Sequence, residues 1–151
     1  SPRFLLVHSL AHALIRQLSL DCGYSSASLR ERLYVQEGEE EMAGLLIYTG
    51  STDADGTLGG LSRQAHPERF ARLMEGALKS MVWCSNDPLC IHGHGSSSEP
   101  TNNAACHACM LAAETSCETF NQLLDRTTIA GTPTNRKAGF FEALLKQRSS
   151  G

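Results

Sequence analysis

A chain of 151 residues is the size of one ordinary domain, long enough to bury roughly two thirds of the surface its unfolded form exposes. Sixteen acidic against thirteen basic side chains leave a formal net charge of -3. That balance gives no long-range field to draw in nucleic acid or an acidic membrane, so any contact with DNA must be local.

The first segment, Phe4-Leu5-Leu6-Val7, is apolar, but His8, His12 and Arg16 interrupt it, and no run approaches the length of a membrane span. A soluble, cytoplasmic chain is expected. The opening Ser-Pro-Arg, in place of Met and already inside a helical pattern, is what one domain of a longer polypeptide would show. From Phe4 to about Leu20 the residues Leu6, Leu10, Ala13, Leu14, Ile15 and Leu18 recur at helical spacing, and Gly23 supplies a terminator. Ser28 is placed to cap a short second helix through Arg32, with Glu31 where a capping box takes a carboxylate.

Leu33-Tyr34-Val35 has strand character, the acidic run Glu37 to Glu41 reads as a solvated turn, and Ala43 to Thr49 reads as a buried strand, so the two strands should pair as a hairpin. Gly50 to Gly60 is a loop of small residues and turn formers, suited to close approach of another backbone. Pro67 starts a third helix running to about Val82, with Phe70, Leu73, Met74, Ala77, Leu78 and Met81 as one apolar stripe. A flexible excursion covers about residues 92–103, through His-Gly-His-Gly-Ser-Ser-Ser-Glu-Pro. Thr115-Ser116-Cys117-Glu118 matches a capping box, which predicts a fourth helix from about Ser116 to Arg126, and a last helix after Pro133 carries Phe140, Phe141, Leu144 and Leu145.

Chemistry concentrates in the cysteines. Cys84 and Cys90 form one close pair, and Cys106 and Cys109 form another in a Cys-His-Ala-Cys step. Two such pairs joined by a loop let four thiolates converge on one Zn²⁺. Six cysteines could instead make three disulfides in a secreted protein, but the chain's size, its helical patterning and the Cys-x-x-Cys spacing favour a reducing cytosol. A four-thiolate shell leaves no position for water or substrate, so the metal would be structural rather than catalytic. The fold expected is α+β, helices packed on a small sheet with one structural zinc site in the C-terminal half.

Other candidates are weaker. Cys117 is a spare ligand rather than a nucleophile, and His92, His94 or His107 could replace one sulfur, although Cys-only ligation fits better. His8 and His12 share a helix face, but Ser9 stands where a metalloprotease helix has its glutamate, so a histidine pair hydrogen-bonded to backbone is the simpler reading and no metal is assigned to it. Asp53, Asp55 and Gly56 lack the twelfth-position glutamate of a calcium loop, and the glycines are not followed by the Lys-Ser or Lys-Thr of a phosphate loop. Arg63, Arg69, Arg72 and Lys79, with Arg126, Arg136, Lys137, Lys146 and Arg148, could make a phosphate-contacting face or simply a solvated one.

The ordered series His8-Ser9-Leu10-Ala11-His12, Leu46-Ile47-Tyr48, Asp55-Gly56-Thr57-Leu58-Gly59-Gly60-Leu61, Cys84-Ser85-Asn86-Asp87-Pro88-Leu89-Cys90, Ala105-Cys106-His107-Ala108-Cys109, Glu114-Thr115-Ser116-Cys117-Glu118, Asn121 and Leu124-Asp125-Arg126 resembles the MrfA-like zinc-binding domain. That domain lies at the C-terminal side of certain superfamily 2 helicases and in DrmB-type proteins of the DISARM anti-phage system, and the match looks closest to the latter. The resemblance covers most of residues 1–151 and implies one domain with Cys84, Cys90, Cys106 and Cys109 as zinc ligands. It implies a module that works beside a DNA-translocating motor, a helicase subunit or fused helicase domains, without hydrolysing nucleotide itself. The acidic balance is poor for an autonomous DNA binder. Two other functions stay open on the residues: a metal-dependent hydrolase or nuclease built from His8, His12, Asp53 and Asp55, and a purely protein-binding adaptor.

Overall fold

The computed structural model describes residues 1–50, 60–93 and 101–147. Its axis is helix α1 (Pro2–Cys22), which begins as helix signals dictate: the Ser1 hydroxyl accepts from the Phe4 N–H, and Pro2 occupies the first turn. It ends at Gly23, whose φ of 72° is the left-handed cap that glycine adopts without cost. His8, Ser9, Ala11, His12, Ala13, Leu14, Ile15 and Leu18 are all buried, a swath too broad for one packing partner. Strands β1 (Leu29–Gln36) and β2 (Met42–Thr49), helix α3 (Pro67–Ser80) and the short helix α4 (Thr127–Ala130) all pack against it.

β1 and β2 form the expected antiparallel hairpin, with Leu29 opposite Thr49 and Gln36 opposite Met42. Leu29 and Glu31 are buried, with Leu33 and Val35 half-buried on the same face, while Arg30, Arg32, Tyr34 and Gln36 face out. β2 is only half-buried, with Leu46 and Tyr48 exposed, so it is not the fully buried strand its composition suggests. The short helix expected at Ser28 is a single 3₁₀ turn, Ser26–Ser28, and the strand begins at Leu29. Glu31 therefore caps nothing; alternation carries it inward between Leu29 and Leu33.

After the turn α2 (Gly60–Arg63), α3 starts at Pro67 as expected and lays Leu73, Ala77 and Leu78 into the core. Phe70 of its predicted stripe is exposed. The helix predicted from Ser116 to Arg126 is absent: a 3₁₀ turn covers Glu114–Ser116 and the backbone then enters the left-handed region at Phe120, Asn121 and Leu123. Polar clasps hold this irregular stretch. Asn121 bonds both polar groups of Ala112, the Asn102 amide donates to Asn121 O, and Asn102 Oδ1 accepts from the Leu124 N–H. Asn102 is thus pinned at the end of the excursion expected over 92–103, whose residues 94–100 lie outside the described residues.

The last predicted helix is shorter than its apolar pattern, a 3₁₀ turn at Arg136–Ala138 followed by α5 (Glu142–Gln147). Ahead of it two backbones meet at glycine. Gly131 has φ 69° and ψ -171°, a conformation essentially reserved for glycine, and a Cβ there would stand 2.5 Å from Arg136 O. Gly131→Ala should lower the stability of this domain by about 3 kcal/mol through strain and displacement of the 135–136 backbone, read as a drop in its urea midpoint at unchanged slope. Among the described residues no helix is long and apolar enough to cross a membrane.

Candidate metal centre

Four sulfurs converge between the exit of α3 and the segment that follows residue 103. The Cys84 N–H donates to Asp87 Oδ2 (3.0 Å), the Cys90 N–H to Asn86 O (3.0 Å), and the Cys109 N–H to Cys106 O (3.1 Å), so each pair sits on a tight turn that aims both thiols inward. Cys84, Cys90, Cys106 and Cys109 are all buried. The sulfur separations are 3.5 Å for Cys84–Cys106, 3.6 Å for Cys90–Cys109 and 3.7 Å for Cys106–Cys109. A disulfide is about 2.05 Å long, whereas a tetrahedron with Zn–S bonds of about 2.3 Å has edges of roughly 3.8 Å. The four ligand atoms therefore stand nearly where a shared cation needs them, and the cluster fits structural zinc.

Electrostatics divide the four sulfurs. Burial pushes the Cys90 thiol up to about 12 and also raises Cys109. Burial opposes ionisation of Cys106 too, but the Cys84 thiol and the Ala108 backbone hold it at about 7. Asn86 sends its backbone N–H to Cys84 Sγ and its side-chain amide to Cys106 Sγ, both at 3.4 Å, donors that favour thiolate.

A buried cation already stands nearby. Arg126 donates to Met81 O (3.1 Å) and to Asp87 Oδ1 (2.5 Å), and its charge helps Cys90 ionise. Asp87 also accepts from the Ile91 N–H, so one carboxylate ties the Cys84–Cys90 turn to the guanidinium. This removes Arg126 from the phosphate-contacting face. Lys79 and Lys146 are paired with Glu75 and Glu142, Arg136 donates to Val82 O, and Arg148 lies outside the described residues. Arg63, Arg69, Arg72 and Lys137 remain exposed.

Other candidates part company with the cluster. His92 and His107 are exposed, and His94 lies outside the described residues, as do Asp53, Asp55 and residues 51–59 of the glycine-rich loop. Cys117 is not a spare sulfur for the four; it meets His8 and His12. The histidine pair does bond to backbone, His8 Nδ1 against Leu123 O (3.2 Å) and His12 Nδ1 against Met110 O (3.0 Å), but each Nε2 also faces Glu31. Burial opposes charge on every member. Even so, Cys117 and Glu31 raise His12 to about 9, while the histidines hold Glu31 down to about 2 and Cys117 down to about 6.

The sequence pattern places Glu31 on a short helix, whereas the structure places it on β1. The usable signal was the alternation Leu29-Arg30-Glu31-Arg32-Leu33, which puts a carboxylate on the apolar face once the strand starts at Leu29.

A family model described as the MrfA Zn-binding domain matches residues 10–110. The chain is also 44% identical, over 142 residues and 94% of its length, to a protein described as DISARM protein DrmB from Bacillus paralicheniformis, and it spans 25% of that protein.

Proposed function

Because the chain belongs to the MrfA Zn-binding domain family, we propose that it is a non-catalytic accessory module of a helicase-linked, nucleic-acid-associated defence complex, with Cys84, Cys90, Cys106 and Cys109 as ligands of one structural Zn²⁺. The observation that carries this reading is the sulfur cluster: four buried thiols whose sulfurs all lie within 4.8 Å of one another, three of the separations being 3.5–3.7 Å, a set that fills a tetrahedral zinc shell and leaves it no position for substrate. Zinc held there supplies folding free energy. The residues do the rest: Asp87 and Asn86 orient the first pair, and Arg126 offsets part of the negative charge that four thiolates bring.

The defence setting is supported by the DISARM relative. The helicase link rests on the resemblance of the His8–His12, Leu46–Leu61 and Cys84–Cys90 motifs to domains that accompany superfamily 2 motors. In such a setting Arg63, Arg69 and Arg72, exposed on α2 and α3, are the basic side chains to which we assign DNA contact by this module. Reversing all three to Glu in the full-length protein should weaken duplex DNA binding and flatten the dependence of log affinity on log salt by about 0.9 for each phosphate no longer neutralised. Unchanged affinity and slope would remove the basic face from the reading.

A protein-binding adaptor is the second reading, favoured by Trp83 and Phe140, which are 68% and 70% exposed. Partner binding that ignores salt, with no DNA affinity, would select it.

A further inference from the structure

A second set of donors meets where α1, β1 and the segment after Ser116 come together. His8 Nε2 lies 3.1 Å from His12 Nε2, 3.2 Å from Cys117 Sγ and 3.1 Å from Glu31 Oε1, and His12 Nε2 lies 3.6 Å from the same carboxylate oxygen. The His8, His12 and Glu31 side chains are wholly buried, and Cys117 is buried beside them.

Proton counting makes this arrangement hard to satisfy with protein atoms alone. Each histidine directs Nδ1 at a backbone carbonyl, an acceptor, so the ring proton of a neutral imidazole sits on Nδ1 and each Nε2 presents a lone pair. Two such lone pairs, a carboxylate and a sulfur then point at one another. Protonating a single Nε2 supplies one hydrogen bond where three close partners compete for it, and protonating both would set two N–H groups against each other with their nitrogens 3.1 Å apart. The second carboxylate oxygen, Glu31 Oε2, is buried with no hydrogen-bond partner among the described residues.

We infer that His8, His12, Glu31 and Cys117 form a second metal site, of mixed nitrogen, oxygen and sulfur donors, that takes Zn²⁺. Tetrahedral zinc with bonds of about 2.0–2.3 Å spaces its ligand atoms roughly 3.3–3.6 Å apart, close to the separations here. Two imidazoles, one carboxylate and one thiolate are a borderline donor set that zinc accepts, and the two anionic ligands balance its charge inside an apolar core.

The surroundings are those of a supported metal site. Besides the two Nδ1 contacts, Asn121 N–H donates to Cys117 Sγ (3.2 Å) and Glu118 N–H to Glu31 Oε1 (3.3 Å). The left-handed residues Phe120, Asn121 and Leu123 lie in the same stretch, and two of them supply contacts to the cluster: the Asn121 amide and the Leu123 carbonyl. Because all four donors are buried and point inward, the site would fasten β1 and the 117–123 segment to α1 rather than act on a substrate.

Crystals of the full-length protein supplied with Zn²⁺ as the sole divalent cation decide the matter. Anomalous scattering at the zinc edge should give one peak among the four cysteines and a separate one about 2.0–2.3 Å from the donors of His8, His12, Glu31 and Cys117. Cys117→Ser and Glu31→Gln should each lower bound zinc by one equivalent relative to wild type. A peak at the cysteines with none between His8 and His12 overturns the second site while leaving the first intact. A Cys117→Ser protein that folds with wild-type zinc content overturns it as well. Should either variant fail to fold, the anomalous map of the wild-type crystal still shows whether the second peak is there.

Discussion

Cys109→Ser should cost the protein one equivalent of zinc and, with it, the folded state of this domain. Structural zinc binds zinc-finger peptides with an apparent free energy of about 10–16 kcal/mol, which for such sites is folding free energy. A domain's whole net stability is only about 5–15 kcal/mol. The first quantity matches or exceeds the second, so a site unable to hold zinc leaves little to keep the chain folded. Serine is nearly the same size as cysteine, so lost packing is a minor part of the effect. Cys106→Ser should behave alike, because Cys106 has two of the short sulfur contacts. Inductively coupled plasma analysis and circular dichroism, with the wild-type protein as reference, read the two losses together. A Cys109→Ser protein that keeps its full stability would deny the metal any structural role.

Removing the buried cation beside that site should have the next largest effect. Arg126→Met should lower stability by about 3–5 kcal/mol, the usual cost of breaking a buried pair from one side. The side chains of Arg126 and Asp87 are 1% and 15% exposed, so the stranded Asp87 charge has little water to turn to. Met81 O would lose its donor as well. Asp87 orients the turn that presents Cys84 and Cys90, so zinc affinity should fall about 10–100-fold, as for other supporting residues around metal ligands. Arg126→Lys should fall between, since one ammonium cannot reproduce the fork that reaches both a carbonyl and a carboxylate. The control is Asp87→Asn combined with Arg126→Met. It removes both charges and should recover part of the stability lost in Arg126→Met alone. Competition with a zinc chelator and chemical denaturation measure the two effects separately.

These expectations rest on features of unequal visibility in the sequence. The four cysteines were legible because ligand spacing is local: each pair lies within one turn, and spacing alone says that the thiols of a pair can meet. Helix α1, the hairpin and α3 were legible through periodicity and through the glycine and proline that bound them. The stretch from Ser116 to Arg126 was not. Its Thr-x-x-Glu pattern and apolar residues satisfy a helix signature, but Cys117 Sγ takes the Asn121 N–H, and the distant Asn102 takes both the Asn121 carbonyl and the Leu124 N–H. Arg126 looked like surface charge for a related reason: nothing in the residues around it reveals that Met81 O and Asp87 wait some forty positions upstream. Glu31 lay within reach of pattern reading, since shifting the strand start back to Leu29 turns an exposed cap into an inward carboxylate.

The way α1 is surrounded also sets an order of events during synthesis. His8, Ser9 and His12 meet their partners at Leu123, Asp125 and Met110, about a hundred residues further along. A nascent chain that has released only the first helix and the hairpin must carry that polar face open to water, and loop closure over such a distance is slow. The amino-terminal half should therefore remain protease-sensitive until the last cysteine pair and the following residues have left the ribosome, at which point the domain locks late and as a unit.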